Sequence, residues 1–313
     1  MTTKSLNKLD SEALEKLRLS GRIACSAREL AISKVLPGAS LRAVMDEVET
    51  FIRDSGGGPA FPAQTSRNAI AAHYCPAPND ATLYQEGDVV KVDIGVEVDG
   101  WVTDNAATKY LGEDPTLQKL VQAAQDALLS ALELAGPGVM VSKLSRAIES
   151  AIEGHGFRPV YNLTGHGVDR WKVHCAPQIP PTPDRHSDSE LQPGMVIAIE
   201  PFATDGKGTV SDKGRAEVFM LLRNPRKMKG VDPEVWEVIE HMNGLPFARC
   251  TFPSALRGDR LESSLQRLLR TGSVMAFPPL VDPDAGVMVS QAEHTALILD
   301  DGIEVLTSTP LEG

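Results

Sequence analysis

Residues 89–108 read VVKVDIGVEVDGWVTDNAAT, and their wealth of β-branched residues predicts a hairpin of two antiparallel strands. Asp99-Gly100 stands at the centre, and two-residue hairpin turns prefer this pair. Such a turn pairs Val98 with Trp101, and this first pair sets the register of both arms. We expect the rest of the fold to be organised around this hairpin.

The register brings two acids to one face of the hairpin. Counting outward from the turn places Gly95 opposite Asp104 and makes Asp93 the diagonal neighbour of Asp104. Because side chains alternate between faces, one face carries Asp93, Gly95, Asp104 and Ala106 and the other carries Val92, Ile94, Val96 and Val98. Diagonal neighbours lie about 7–8 Å apart, and carboxylates this close repel unless a cation or a shared proton lies between them. The hairpin therefore predicts a metal site.

Composition narrows the class of protein. The chain has 313 residues and is 42% hydrophobic, enough to bury one large core or two modest ones. Its formal net charge of -11 argues against a nucleic-acid partner, because phosphates select a basic face. The first ten residues lack the apolar core of a signal peptide, and no stretch approaches the roughly 20 apolar residues of a membrane span. We expect a cytoplasmic protein without a membrane partner.

Two similar pairs of helices recur along the chain. Helical patterns predict the segments 11–34, 41–53, 115–134 and 142–153. Pro37-Gly38 separates the helices of the first pair and Pro137-Gly138 those of the second, while Gly56 and Gly156 follow the two pairs. This order indicates a duplicated α/β half. Chance similarity between amphipathic helices is the alternative.

A change of composition marks residues 224–284, which carry several prolines and arginines and two predicted helices, 233–242 and 261–269. We interpret this segment as an insertion within a single domain that spans 1–313. After it, residues 286–299 are predicted to form one continuous strand.

Three further polar residues stand in apolar surroundings, where an unpaired charge is costly. Glu200 ends an apolar strand before Pro201, Glu293 interrupts the last strand, and His166 lies between two glycines. Each has an ordinary structural explanation when taken singly, but together with the hairpin acids they form one set. This acid–histidine cluster consists of Asp93, Asp104, His166, Glu200 and Glu293. Four carboxylates and one imidazole suit two divalent cations, and Mn, Co, Fe or Zn is favoured over a thiolate site.

Six short motifs are spread along the chain: AAHYCP (71–76), KVDIG (91–95), TDNAAT (103–108), GHG (165–167) with VH (173–174), IEPFAT (199–204) and QAEHT (291–295). Together they resemble the motifs of type II methionine aminopeptidases of the minimal archaeal type. The resemblance covers nearly the whole chain, and the segment 224–284 sits where that family carries a helical subdomain. It implies the pita-bread fold, a pseudo-symmetric α/β unit whose central antiparallel sheet is flanked by helices.

The resemblance also implies roles for individual residues. The acid–histidine cluster matches the five metal ligands of the family, His73 and His174 match the histidines that flank the substrate, and the walls of the methionine pocket match Phe61, Val173 and Phe202. The implied activity is removal of the N-terminal methionine from peptides and nascent proteins. Water activated by two metal ions would attack, with Glu200 as general base. A monomer is expected, and the ribosome is a candidate partner.

Two other functions remain open. The first is a proline-specific (Xaa-Pro) peptidase of the same superfamily, whose members usually carry an additional N-terminal domain; here the first motif begins by about residue 60. The second is a catalytically silent binding protein with the same fold, which would dock on ribosomes or nucleic acid. Such relatives are expected to lose metal ligands, whereas this chain retains all five.

Overall fold

The computed structural model describes residues 9–184 and 188–311. Its α-helices are α1 (Ser11–Lys34), α2 (Leu41–Asp54), α3 (Pro115–Leu134), α4 (Val141–Gly154), α5 (Pro233–His241) and α6 (Asp259–Arg270). Asp10, Ser40, Asp114 and Asp232 cap the first three helices and α5, each accepting a hydrogen bond from a backbone N–H of the first turn. Within the described ranges, no helix combines the length and the apolar character needed to cross a membrane.

The strands are short except for the hairpin. In chain order they are β1 (Gly58–Pro59), β2 (Gln64–Arg67), β3 (Ile70–Ala72), β4 (Val89–Val98), β5 (Trp101–Tyr110), β6 (Arg158–Pro159), β7 (Gly165–Asp169), β8 (Lys172–Ile179), β9 (Val196–Ile199), β10 (Phe202–Thr204), β11 (Ser211–Asp212), β12 (Val218–Leu221), β13 (Phe247–Ala248), β14 (Val274–Phe277), β15 (Leu280–Val281), β16 (Val289–Gln291), β17 (His294–Ile298) and β18 (Ile303–Val305).

The hairpin β4–β5 forms with the predicted register. Val98 pairs with Trp101, and Gly95 lies opposite Asp104. The Asp99-Gly100 turn has φ values of 51° and 83°, and two positive values are typical of a type I′ turn, whose twist matches that of the strands. Strands β1 and β2 pair with the outer edge of β4 and complete a four-stranded antiparallel sheet.

Helices cover the apolar face of this sheet. Val92, Ile94 and Val96 are fully buried in one core with side chains of α1 and α2. Burial of an aliphatic side chain of this size stabilises the fold by about 1.5–3 kcal/mol. This core fixes which face of the hairpin is turned towards the helices, so Asp93 and Asp104 are left on the opposite face.

The second half of the chain repeats this arrangement. Strands β18, β17, β9, β7 and β8 form a five-stranded antiparallel sheet in that order. Helices α3 and α4 bury its apolar residues, among them Ile197, Ile199 and Ile298, in a second core. The predicted central sheet thus consists of two larger antiparallel sheets, each with a helix pair on one face.

The duplicated connections adopt the same backbone conformation. Gly38 and Gly138 have φ values of 86° and 78°, and Gly56 and Gly156 have φ values of 86° and 82°. Helices α2 and α4, which lie between these glycines, both have 14 residues. Positive φ at matching sites favours a glycine in both halves. This agreement supports a duplicated α/β half over chance similarity.

The end of the chain differs from the prediction of one continuous strand over 286–299. It forms two strands, because β16 pairs with β10 whereas β17 pairs with β9 in the other sheet. Between them, Glu293 exchanges backbone hydrogen bonds with Ala106 of the hairpin (3.0 and 3.4 Å). The Thr295 hydroxyl donates to the Asp104 carbonyl (2.7 Å) and accepts from its N–H (2.8 Å). The two halves are joined here.

The segment 224–284 contains more than its two predicted helices. Besides α5 and α6 it carries two 3-10 turns and the strands β13 and β14, which pair with β12 just before the segment. Its helices and strands share one apolar core, which includes Phe219, Val235, Phe247, Leu265 and Val274. The assignment of this segment as an inserted subdomain of a single 1–313 domain stays a prediction.

Candidate metal centre and substrate pocket

A cavity of about 640 Å³ is lined by residues from both halves and from the 224–284 segment. The predicted site residues that line it are Phe61, His73, Asp93, Asp104, His166, Val173, His174, Glu200 and Phe202. Glu293 belongs to the same site, because one ligand atom from each of Asp104, His166 and Glu293 lies within 4.8 Å of the other two. The chain thus brings all the predicted site residues into one region.

The acid–histidine cluster draws its five residues from five segments: β4, β5, β7, the end of β9 and the link between β16 and β17. His166 Nε2 lies 3.5 Å from Glu200 Oε1 and 3.9 Å from Asp104 Oδ2. Its other ring nitrogen, Nδ1, lies 3.2 Å from the Gly167 carbonyl oxygen. An N–H at Nδ1 donates to that carbonyl and leaves the lone pair of Nε2 directed at the two carboxylates, which is the orientation of a metal-binding histidine.

Glycine next to His166 allows the backbone of β7 to lie close to its neighbours. A Cβ at Gly165 would lie 2.6 Å from the carbonyl oxygen of Ala198. A Cβ at Gly167 would overlap the carbonyl oxygen of Ala176. Because both obstacles are backbone atoms, a side chain at either position would displace β7 and with it the imidazole of His166.

Carboxylates in the cluster repel one another. The pKa of Asp93 is raised to about 6, chiefly by burial. Burial, then the charge of Asp93, raises the pKa of Asp104 well above its ordinary value. The pKa values of Glu200 and Glu293 are raised in the same way, by burial first and then by neighbouring carboxylates. The folded chain therefore resists ionising the cluster unless positive charge is supplied.

Oxygen atoms of three of these acids are buried and have no hydrogen-bond partner among the described residues. They are Asp93 Oδ1, Asp104 Oδ1 and Glu293 Oε1. A buried acceptor without a donor is costly, typically by about 1–3 kcal/mol. Divalent cations remove this cost and the repulsion together, and hard oxygen ligands with one imidazole suit such ions. The residues of the site therefore fit a bound metal.

Two further histidines face the cavity as neutral rings. Burial lowers the pKa of His174, and burial followed by the charge of His174 lowers the pKa of His73 to about 4. The His174 ring packs edge-on against His166, with ring centroids 4.2 Å apart. His73 has a φ of 65°, a conformation rarely adopted by residues other than glycine. Such backbone strain is characteristic of functional sites.

Sequence comparison assigns the family. The model of metallopeptidase family M24 matches residues 15–298. The chain belongs to family M24. It is therefore an enzyme that hydrolyses peptide bonds with the help of a metal.

Relatives of this M24 peptidase narrow the group. A methionine aminopeptidase of Archaeoglobus fulgidus is 40% identical over 301 residues, 96% of this chain and 100% of that protein. A methionine aminopeptidase of Pyrococcus horikoshii is 38% identical over 94% of this chain and 99% of its own length. Within family M24, the chain thus belongs with the methionine aminopeptidases, and the resemblance read from the six motifs is confirmed.

Solved structures confirm the pita-bread fold of this M24 peptidase. Methionine aminopeptidase from Thermotoga maritima superposes with a TM-score of 0.71 at 23% identity, over 97% of this chain and 99% of that one. A thermophilic Arx1 superposes with a TM-score of 0.83 at 18% identity, and the match covers 97% of this chain and 93% of that one. A prolidase from Pyrococcus horikoshii superposes with a TM-score of 0.63 at 20% identity, and the match covers 65% of its length. At these identities the likeness shows the fold alone.

Gln291 belongs to this M24 site and was missed by the sequence reasoning. The amide nitrogen of Gln291, a buried side chain, donates to Asp93 Oδ2 (3.3 Å) and to Glu293 Oε2 (3.4 Å). It bridges an acid of the hairpin to the acid between β16 and β17. The signal was its place in the motif QAEHT, two residues before Glu293 and therefore on the same side of an extended chain.

Gly95→Ala is expected to destabilise the M24 fold and to weaken substrate binding. A Cβ at Gly95 would overlap the ring of Phe61, which lies in the cavity wall. Overpacking of this kind costs about 1–3 kcal/mol. The measurements are the denaturant midpoint and KM. Gly154→Ala is the matched control, because a Cβ there meets nothing within 4 Å. Equal stability of the two variants would contradict the expected clash.

Proposed function

We propose that this protein removes the N-terminal methionine from peptides and nascent proteins, with two divalent cations held by the acid–histidine cluster. The observation that carries the proposal is the position of that cluster, with its unpartnered carboxylate oxygens, at a cavity that also has apolar walls. The names of the relatives support the choice of methionine. We further propose that it acts in the cytoplasm as a monomer, where the ribosome is a candidate partner.

Asp93, Asp104, His166, Glu200 and Glu293 would hold the cations. When bound, such ions act as Lewis acids and make water a nucleophile near neutral pH. Asp93 is further oriented by Gln291, and Asp104 by the bonds of its backbone to Thr295. These supporting contacts restrict the freedom of the ligands, which is the usual function of residues behind a metal site.

Glu200 is the group best placed to move a proton. Its side chain is 15% exposed, compared with 5% for Asp104 and 6% for His166. It stands at the end of β9 and lines the cavity, so water and substrate can reach it. Burial, followed by the charges of Asp93 and Asp104, raises its pKa, which suits a carboxylate that accepts a proton and later returns it to the leaving amine.

His73 and His174 are proposed to donate hydrogen bonds to the scissile peptide and to the negative charge that develops on its carbonyl oxygen. Both rings are neutral at pH 7 because their pKa values are lowered, and a neutral imidazole retains one N–H donor. Donors of this kind typically contribute about 2.7–4 kcal/mol each to transition-state stabilisation.

Phe61, Val173 and Phe202 are proposed to contact the methionine side chain. All three are buried side chains that line the cavity. Apolar walls accept an unbranched hydrophobic side chain, and the acid–histidine cluster with its ions bound would supply a site for the free α-amine. This division explains why cleavage would stop after the first residue.

Release of free methionine from Met-Gly-Met tests the proposal. Metal-free protein should be inactive, and addition of Mn or Co should restore release of the first residue only. Absence of release with any of the ions, despite bound metal and an intact fold, would favour the silent binding protein. Cleavage of Xaa-Pro peptides instead would mean that the pocket is assigned to the wrong substrate.

His73→Gln is expected to lower kcat/KM by roughly 10²–10³-fold without moving the acidic limb of the pH profile. The pKa of His73 is lowered to about 4, so the ring is already neutral throughout the range from pH 5.5 to 8 and loses no proton there. Bound cations would lower this pKa further. The measurement is kcat/KM against pH. His241→Gln, at an exposed position on α5, is the control. A shift of the limb to lower pH in His73→Gln would contradict the assignment.

A further inference from the structure

Gln64 is a buried polar residue in the cavity whose amide is not used by the fold. Its residue exposure is 6%, and it lines the same cavity as Phe61 and Glu200. Its Oε1 is buried without a hydrogen-bond partner among the described residues. An unmatched amide of this kind destabilises a fold. The side chain is therefore expected to be matched by a group that enters the cavity.

The position of Gln64 lies between the metal centre and the apolar walls. In the β2–β4 pair Gln64 is directly opposite Asp93, so the two side chains share one face of the sheet. Phe61 precedes it by three residues and packs over Gly95, two residues further along β4. The amide thus stands beside a proposed metal ligand on one side and an aromatic wall on the other.

We propose that Gln64 determines specificity by donating a hydrogen bond from its amide to the thioether sulfur of the N-terminal methionine. This inference rests on the proposed function. Gln64 lies three residues from Phe61, a proposed wall of the methionine pocket, and both line the cavity, so the substrate group nearest to the amide belongs to the methionine side chain. Sulfur is a weak acceptor. Nε2 of Gln64 has no hydrogen-bond acceptor among the described residues and, unlike Oε1, is not enclosed by the fold, so its N–H groups can face the substrate.

Norleucine provides the critical comparison, because it has the shape of methionine with a methylene in place of sulfur. The test measures kcat/KM for Met-Gly-Met and Nle-Gly-Met with the Mn-loaded protein and with Gln64→Leu. The natural protein should prefer methionine by roughly five- to ten-fold, and the ratio should fall to about 1 in Gln64→Leu. Phe61→Leu is the control, which should lower both rates and keep the ratio.

Two results would overturn the inference. A ratio unchanged in Gln64→Leu means that the amide does not sense sulfur. Equal losses for both peptides, with the ratio kept, mean that Gln64 holds the main chain of the substrate. If Gln64→Leu fails to fold, Gln64→Met serves instead, because its unbranched side chain has a similar length and no N–H group.

A binding measurement distinguishes failure of this inference from failure of the proposed function. Calorimetry of free L-methionine and L-norleucine on the Mn-loaded protein requires no turnover. Tighter binding of methionine that disappears in Gln64→Leu supports the contact even if no peptide is cleaved. Equal binding of the two amino acids to the natural protein overturns it, whatever the peptidase activity.

Discussion

Glu200→Gln should lower kcat for release of N-terminal methionine by roughly 10²–10⁴-fold, the range typical of a lost general base. The amide keeps the shape of the side chain and one oxygen, but it cannot accept and return a proton. Glu200 is 15% exposed at the cavity and lies 3.5 Å from His166 Nε2, so substrate water can meet it. Asp93 is also partly exposed, but the Gln291 amide already donates to it. The measurement is steady-state kcat with Met-Gly-Met at saturating Mn.

The loss must be separated from loss of metal, since Glu200 is also a proposed ligand. Calorimetry with Mn gives the number and affinity of bound ions for each variant. Glu293→Gln is the matched control, because it changes a buried acid of the cluster that does not line the cavity. If both variants lost activity only in proportion to bound metal, Glu200 would be a ligand without the role of base.

Removal of divalent cations by a chelator should lower activity to less than roughly one thousandth of that of the metal-loaded protein. It should also destabilise the fold. The carboxylates of the cluster would be left to repel one another around unpartnered oxygens. A cation present at 100 times its dissociation constant stabilises the folded state by about 2.7 kcal/mol, so Tm should fall by several degrees on chelation. The measurements are activity and Tm before chelation, after it, and after addition of Mn.

The stabilisation by metal should depend on pH. Without a cation, the folded-state pKa of Asp93 is raised to about 6 from an ordinary 3.8. This group therefore favours the cation-free fold at low pH, and that contribution is lost as pH rises through 6. A cation needs the ionised acid, so its effect on Tm should be large at pH 7.5 and should shrink as pH falls below 6. A Tm gain on adding Mn that is equal at pH 7.5 and 5 would contradict this linkage.

Local sequence patterns were sufficient for the hairpin and the helix pairs. The turn Asp99-Gly100 leaves one register in which apolar residues of β4 meet the helices, and the structure has that register. Helix α3 has the predicted bounds, because proline begins it and Ala135-Gly136 follows its last turn. The position of Asp93 and Asp104 on one face followed from the same count. Their roles as ligands stay proposals.

The pairing of strands that are distant in sequence could not be predicted from local patterns. Residues 286–299 have the pattern of one strand, but the pairing of Glu293 with Ala106 ends β16 and starts β17, and the partner lies in a distant part of the chain. Gln64 and Gln291 were overlooked for a related reason. A glutamine carries no charge that marks it as costly, and only the packed structure shows that the oxygen of each side chain is buried without a partner among the described residues.

The bond between Asp104 and Thr295 joins positions that are 191 residues apart in sequence. Closing so long a loop carries an entropic cost that is recovered only when β17, which carries Thr295, docks. The proposed metal centre therefore could not be complete in a nascent copy of this chain until the segment that carries Glu293 and Thr295 has been synthesised. Metal uptake at the proposed centre would consequently be a late event in its maturation, and a bound ion would indicate that folding is complete.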